Sequence, residues 1–240
     1  MSDYELDDIR SDIAAVTMAR LGALPGYGIY LPRRTPYRNR IITLVHAPDR
    51  SPVAFSTVMY YSVAVEGRVY PVFQLGLVVA ARRSPRRFVG PAYFYPLAWL
   101  LALRGFRQYW VASASMIPNL VGVFADGFVD VFPHYRVGRP PSPIARAIAR
   151  RLVQDHGDEF GAGPDSRLDE STFAVSNCYV GPAAPLRKTW DEVAKHPDPR
   201  CNELCRRTLD YQRGDDLLQI GRVNLALLLR YTFARPSHRG

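Results

Sequence analysis

The chain has 240 residues, 48% of them hydrophobic, 22% charged and 12% aromatic, which is enough apolar material to bury a core and too much for a disordered chain. Three cysteines exclude a disulfide framework and predict a reducing, cytoplasmic setting. The net charge of +9 rests on 29 arginines among 31 basic residues, so the surface attracts phosphates, acidic proteins or anionic lipid without choosing among them.

The first eight residues are acidic where a secretory signal needs basic ones, so no targeting segment is expected. Leu6, Ile9, Ile13, Val16 and Leu21 then recur at helical spacing, with Asp7 and Asp8 where the helix dipole favours carboxylates, and predict a helix over 4–21. Residues 22–40 carry Pro25, Gly26, Gly28, Pro32 and Pro36 and read as a loop with an extended piece at 27–31. Three β-rich runs follow at 40–47, 53–65 and 68–81, and the short separators 48–52 and 66–67 predict an antiparallel meander.

A basic loop, 82–90, leads to an almost wholly apolar helix over 92–103. The apolar run that contains it, 88–103, falls short of the ~20 residues of a membrane-spanning helix and holds Pro91 and Pro96, so no span is expected. Strands are predicted at 109–114 and 128–132 with a helix at 120–126 between them, then a proline-rich linker at 133–143 and a helix at 144–153. Beyond a polar loop at 156–167, one strand (172–180) and two helices (200–211 and 217–233) complete the chain. The resulting expectation is an α/β (α+β) core, residues 1–140, with a central mixed, mostly antiparallel sheet flanked by helices. Residues 141–240 form a C-terminal helical extension packing on that core.

Chemistry concentrates where the third β-run meets the apolar helix. The turn reads Arg87-Phe88-Val89-Gly90-Pro91-Ala92, with Arg82, Arg83 and Arg86 just before it. A helix N-terminus offers unpaired N–H groups and the positive end of a dipole to a phosphate, a glycine permits close approach, and arginines add charge. A basic loop of this kind also has an ordinary reading as a solvated face. Ser113 and Ser115 are weak candidates for catalysis beside a structural role at a strand end, and His134 is a weak candidate base beside a role as a surface-loop residue. His196, Cys201 and Cys205 do not have a zinc spacing, and no metal is assigned.

The meander, the strand, the Arg-x-x-Gly-x-Ala loop, the helix, the next strand and the Gly127-Phe128 pair together resemble the GNAT superfamily of N-acyltransferases over roughly residues 40–132. The resemblance implies an acyl donor, a thioester on coenzyme A or on the phosphopantetheine of an acidic acyl carrier protein. It would be held by Val78, Val79, Arg86, Arg87, Phe88, Val89, Gly90 and Ala92. It implies transfer to an amine-bearing small molecule or peptide, in specialised metabolism. Three positions depart from the family: Pro91 lacks an N–H, Val123 and Phe124 stand where a tyrosine acid is usual, and Gln74 stands where some members have a carboxylate base. The apolar helices at 92–103 and 217–233 are expected either to pack as core or to enclose a channel for a medium or long acyl chain. A non-catalytic binding module on the same scaffold is the alternative, nucleic acid is not an expected partner, and a homodimer stays open.

Overall fold

The computed structural model describes residues 3–26, 28–31, 39–81, 96–99 and 109–223. The first helix, α1 (Asp3–Leu21), runs as its periodicity predicts, turning Ile13, Val16 and Thr17 inward. Gly28–Tyr30 is a turn of 3-10 helix rather than part of an extended piece. Three long strands follow, β1 (Arg40–His46), β2 (Pro52–Val65) and β3 (Arg68–Ala80), each antiparallel to the next. The β2–β3 turn consists of Glu66 and Gly67, both at positive φ (48° and 75°), the two-residue geometry whose twist matches that of the strands it joins. Towards this turn β2 alternates strictly, with Tyr61, Val63 and Val65 buried and Ser62 and Ala64 exposed.

After β4 (Trp110–Ser115) come α2 (Pro118–Gly127), β5 (Val129–Phe132), α3 (Pro143–His156), the two-residue β6 (Arg167–Leu168), β7 (Ala174–Ser176), α4 (Pro199–Thr208) and β8 (Asp216–Arg222). Helix α3 begins at a proline, and Ser142 accepts the Ala145 N–H at 3.1 Å, satisfying one donor that the helix leaves unpaired. The strand predicted at 172–180 is confined to three residues because Phe173 and Asn177, on either side, adopt positive φ (61° and 57°).

Among the described residues, eight strands join one sheet of order β1-β2-β3-β4-β8-β7-β6, with β5 also pairing β8, and every pair is antiparallel except β3 with β4. The expected class, a mixed and mostly antiparallel sheet flanked by helices, is therefore present. The helix expected at 217–233 is not: residues 216–222 are β8, a strand at the centre of the sheet, and 224–233 lie outside the described residues. Leu217, Leu218, Gln219 and Ile220 are each no more than 1% exposed. A strand covered on both faces reads as a continuous apolar run, which periodicity cannot separate from a buried helix. The sheet thus spans the boundary drawn at 140, since β8 pairs with β4 from Trp110↔Arg222 to Ser115↔Leu217.

Odd-numbered residues of β2 share one face. There Phe55 packs with Ile13 and Val16 of α1, and Tyr61 stacks on His156 of α3 at 3.9 Å, so α1 and α3 cover the same side of the sheet. Two ties anchor this layer. Arg40 and Glu159, side chains 3% and 5% exposed, form an ion pair at 2.8 Å, and His46 contacts Asp12 of α1 at 2.7 Å. Helix α2 packs against α4, where the Cys201 thiol donates to the Pro118 carbonyl at 3.2 Å. No helix among the described residues is long and apolar enough to cross a membrane.

Candidate functional site

The parallel pair β3–β4 is short. Its ladder runs from Val72↔Trp110 to Leu75↔Ser113 and stops, although β3 continues to Ala80. The cause lies on the other edge of β3, where Ser56 pairs with Val78 and Val58 with Leu75, so that Gly76 and Leu77 together face Thr57. This is a β-bulge, which bends its strand and sharpens the local twist. Gly76 makes the bulge sterically feasible, because a Cβ there would meet the Thr57 hydroxyl and come within 2.9 Å of the Met59 sulfur.

Past the bulge β3 and β4 diverge around a cavity of about 190 Å³. Its walls are Leu75–Val79 of β3, Ala114 and Ser115 at the end of β4, Met116 and Ile117 just before α2, and Leu120 in its first turn. Phe160, Tyr179 and Leu186 close it from the C-terminal half of the chain, and Arg20 and Lys188 supply cations. Arg20 is exposed and Lys188 half-buried. The lining is therefore apolar with a basic rim, and it lies beyond the carboxyl ends of two parallel strands, where crevices in α/β sheets commonly bind ligands. The edge of β3 at Leu77–Val79 that faces this opening lies outside the β4 ladder, so an extended ligand could pair with it as a further strand would.

Val78 and Val79 stand in this wall, as does Ser115. The Ser115 hydroxyl accepts the Ile117 N–H at 3.1 Å and helps to turn the chain into α2, a structural role. Ser113 is half-buried inside the sheet, with Leu75 and Gln219 as its ladder partners. His134 is elsewhere, in the turn after β5, where its Nδ1 accepts the Arg136 N–H at 3.0 Å and its ring stacks on Tyr135. Partial burial holds its pKa below the usual histidine value. It lines a separate groove with Arg136, Arg200 and Arg207, so the three catalytic candidates do not form one site. Arg86, Arg87, Phe88, Val89, Gly90 and Ala92 lie outside the described residues, as does most of the 92–103 helix, of which residues 96–99 are seen to be helical.

Gln74, one rung from the end of the β3–β4 ladder, is fully buried. Neither its amide nitrogen nor its amide oxygen finds a hydrogen-bond partner among the described residues.

Behind the β4 wall lies a buried acidic pair. The Asp215 carboxylate is held by the Arg213 guanidinium through two bonds of 2.7 and 2.6 Å and accepts the Asp210 N–H at 3.0 Å. Asp216 is different. Fully buried, it accepts the Tyr179 hydroxyl at 2.6 Å and the Leu217 N–H at 3.2 Å, and loss of solvent pushes its pKa up to about 8. Burial likewise pushes the Cys178 thiol far above its ordinary range. Sequence reasoning missed Tyr179 and Asp216. The one available signal was the Asp215-Asp216 pair immediately before an apolar run, a placement that makes burial of a carboxyl hard to avoid.

Among the described residues no cluster of three or more His, Cys, Asp or Glu side chains is arranged to hold a metal ion. His196 is instead engaged by the Asp198 N–H at 3.1 Å, and its ring lies 5.4 Å from that of Tyr135. No family model, curated protein or solved structure matches the chain.

Proposed function

We propose that the chain is a GNAT-type N-acyltransferase that takes an acyl group from a phosphopantetheine thioester, on coenzyme A or an acyl carrier protein, and passes it to an amine. The observation that carries this reading is the cleft between the diverging strands β3 and β4. A pantetheine arm is a linear chain with two amides, suited to pairing with a strand edge such as Leu77–Val79. The apolar walls suit an acyl chain, and the basic rim at Arg20 and Lys188 suits phosphate. The order of elements adds support, since a three-strand meander feeds a parallel partner and a later strand inserts beside it.

In this reading the amine attacks the thioester carbon directly, and the cleft contributes by fixing the donor's geometry and excluding water, a proximity effect that lowers the entropic part of the barrier. Titration of the full chain with octanoyl-CoA and, separately, with an octanoyl-loaded acyl carrier protein tests the reading and distinguishes the two donors. Binding of at least one is expected, with stabilisation growing with acyl length by up to ~0.8 kcal/mol per buried methylene. Ala114→Trp, which fills the cleft, should abolish it. A chain that binds neither donor, or an Ala114→Trp variant that binds as well as the parent, would overturn the proposal.

A further inference from the structure

We infer that a second binding site, for a planar apolar ligand with one negative charge, an aryl carboxylate, lies at the far end of β4 from the cleft. It is a cavity of about 400 Å³ walled by Trp110, Phe132, Pro140 and Ile144, with three charged side chains, Asp130, Arg139 and Arg222, in its lining. Trp110 opens β4 and Ser115 closes it, so this cavity and the cleft sit at opposite ends of one strand, and neither reading depends on the other. Apolar walls with a few fixed polar groups are the ordinary make-up of a small-molecule site.

The sheet itself holds the charges in place. Arg222 of β8 pairs with Trp110 of β4 on one edge and with Val129 of β5 on the other, so three strands meet on this rung. The β5–β8 register shifts between Val129 and Phe132, where Asp130 adopts a positive φ of 53°. One oxygen of the Asp130 carboxylate accepts Arg139 Nη2 at 2.8 Å, and the other accepts Arg222 Nε at 2.8 Å and Arg222 Nη2 as well. Two cations on separate elements thus converge on one anion.

Asp130 cancels only one of the two positive charges. The Arg222 and Arg139 guanidiniums hold its carboxyl below the usual carboxylate range, so it stays ionised and the cluster keeps one positive charge in excess at neutral pH. A guanidinium has five N–H donors, and among the described residues neither of these two donates to any group besides Asp130. The remaining donors suit the paired oxygens of a carboxylate. The half-buried Trp110 offers its ring to a flat apolar body. A neutral ring leaves the donors unused and a small anion leaves Trp110 uncovered, whereas an aryl carboxylate engages both.

Calorimetric titration of the full chain with 2-naphthoate tests the site, with uncharged 2-naphthamide and with acetate for comparison. Saturable binding of 2-naphthoate with a Kd below about 1 mM is expected, and the two comparison compounds should bind at least ~10-fold more weakly. Arg139→Gln, at an exposed position and still able to donate to Asp130, should weaken 2-naphthoate binding by ~10-fold or more. Arg207→Gln removes the same charge from the groove beside α4 and should leave binding unchanged. Asp130→Asn removes the internal competitor and keeps a residue type that tolerates positive φ, so it should bind 2-naphthoate more tightly than the parent. Arg139→Gln carries the test even where Asp130→Asn fails to fold. Absence of saturable binding, equal binding of acid and amide, or equal effects of Arg139→Gln and Arg207→Gln would overturn the assignment. So would binding that Ala114→Trp removes, since the ligand would then lie in the cleft.

Discussion

Asp216 shows how one side chain couples burial to pH. Its carboxyl ordinarily ionises near 3.8, whereas in the fold it holds its proton up to about 8. Between those values the native protein binds more protons than the unfolded chain, so the contribution of Asp216 to stability is full below 3.8 and declines as pH rises towards 8. Asp216→Asn keeps an acceptor for Tyr179 and removes the ionisation. The thermal midpoint of this variant should exceed the parent's at pH 8, and the gap should shrink as the pH approaches 4. Melting curves across that window check the expectation, and parallel curves for the two proteins would refute it. Gly76 is a second case where one residue governs what surrounds it, here through the side chain it lacks.

At the scale of elements, the bulge in β3 decides whether there is a cleft at all. The β3–β4 ladder ends at Leu75↔Ser113, directly before the bulge at Gly76 and Leu77, and the cleft opens there. Gly76→Ala puts a methyl against Thr57, a stiff β-branched side chain only 2% exposed, and against Met59. Overpacking of this kind costs about 1–3 kcal/mol, and chemical denaturation should show a loss in that range together with weaker octanoyl-CoA binding. Unchanged stability would mean that the bulge adjusts without strain. The meander was legible in advance because hairpins leave local marks: β-rich runs separated by short turn segments such as Glu66-Gly67. β8 left no such mark, because burial on both faces erases the alternation from which a strand is recognised.

For the molecule as a whole, β8 ties the described residues beyond 140 to the sheet, together with β6 and β7. Without β8, β4 would expose its whole length as an edge and β5 would lose its ladder. A fragment of residues 1–140 is therefore expected not to fold. It should lack a cooperative thermal transition by circular dichroism, and a sharp two-state melt would show that the first 140 residues are a self-sufficient unit. By itself the sequence determined what depends on near neighbours: α1 from its 3.6-residue period, the meander from β-rich runs and the short turns between them, α3 from the proline-rich stretch that precedes it, and the α/β class from their succession. Only the tertiary structure decided that β8 enters beside β4, that β3 and β4 part to form a cleft, and that Tyr179 meets Asp216 across 37 positions of chain. Periodicity records which face of an element is buried but not which distant element covers it, and that choice is made by packing, where every buried strand edge and polar group must find a partner.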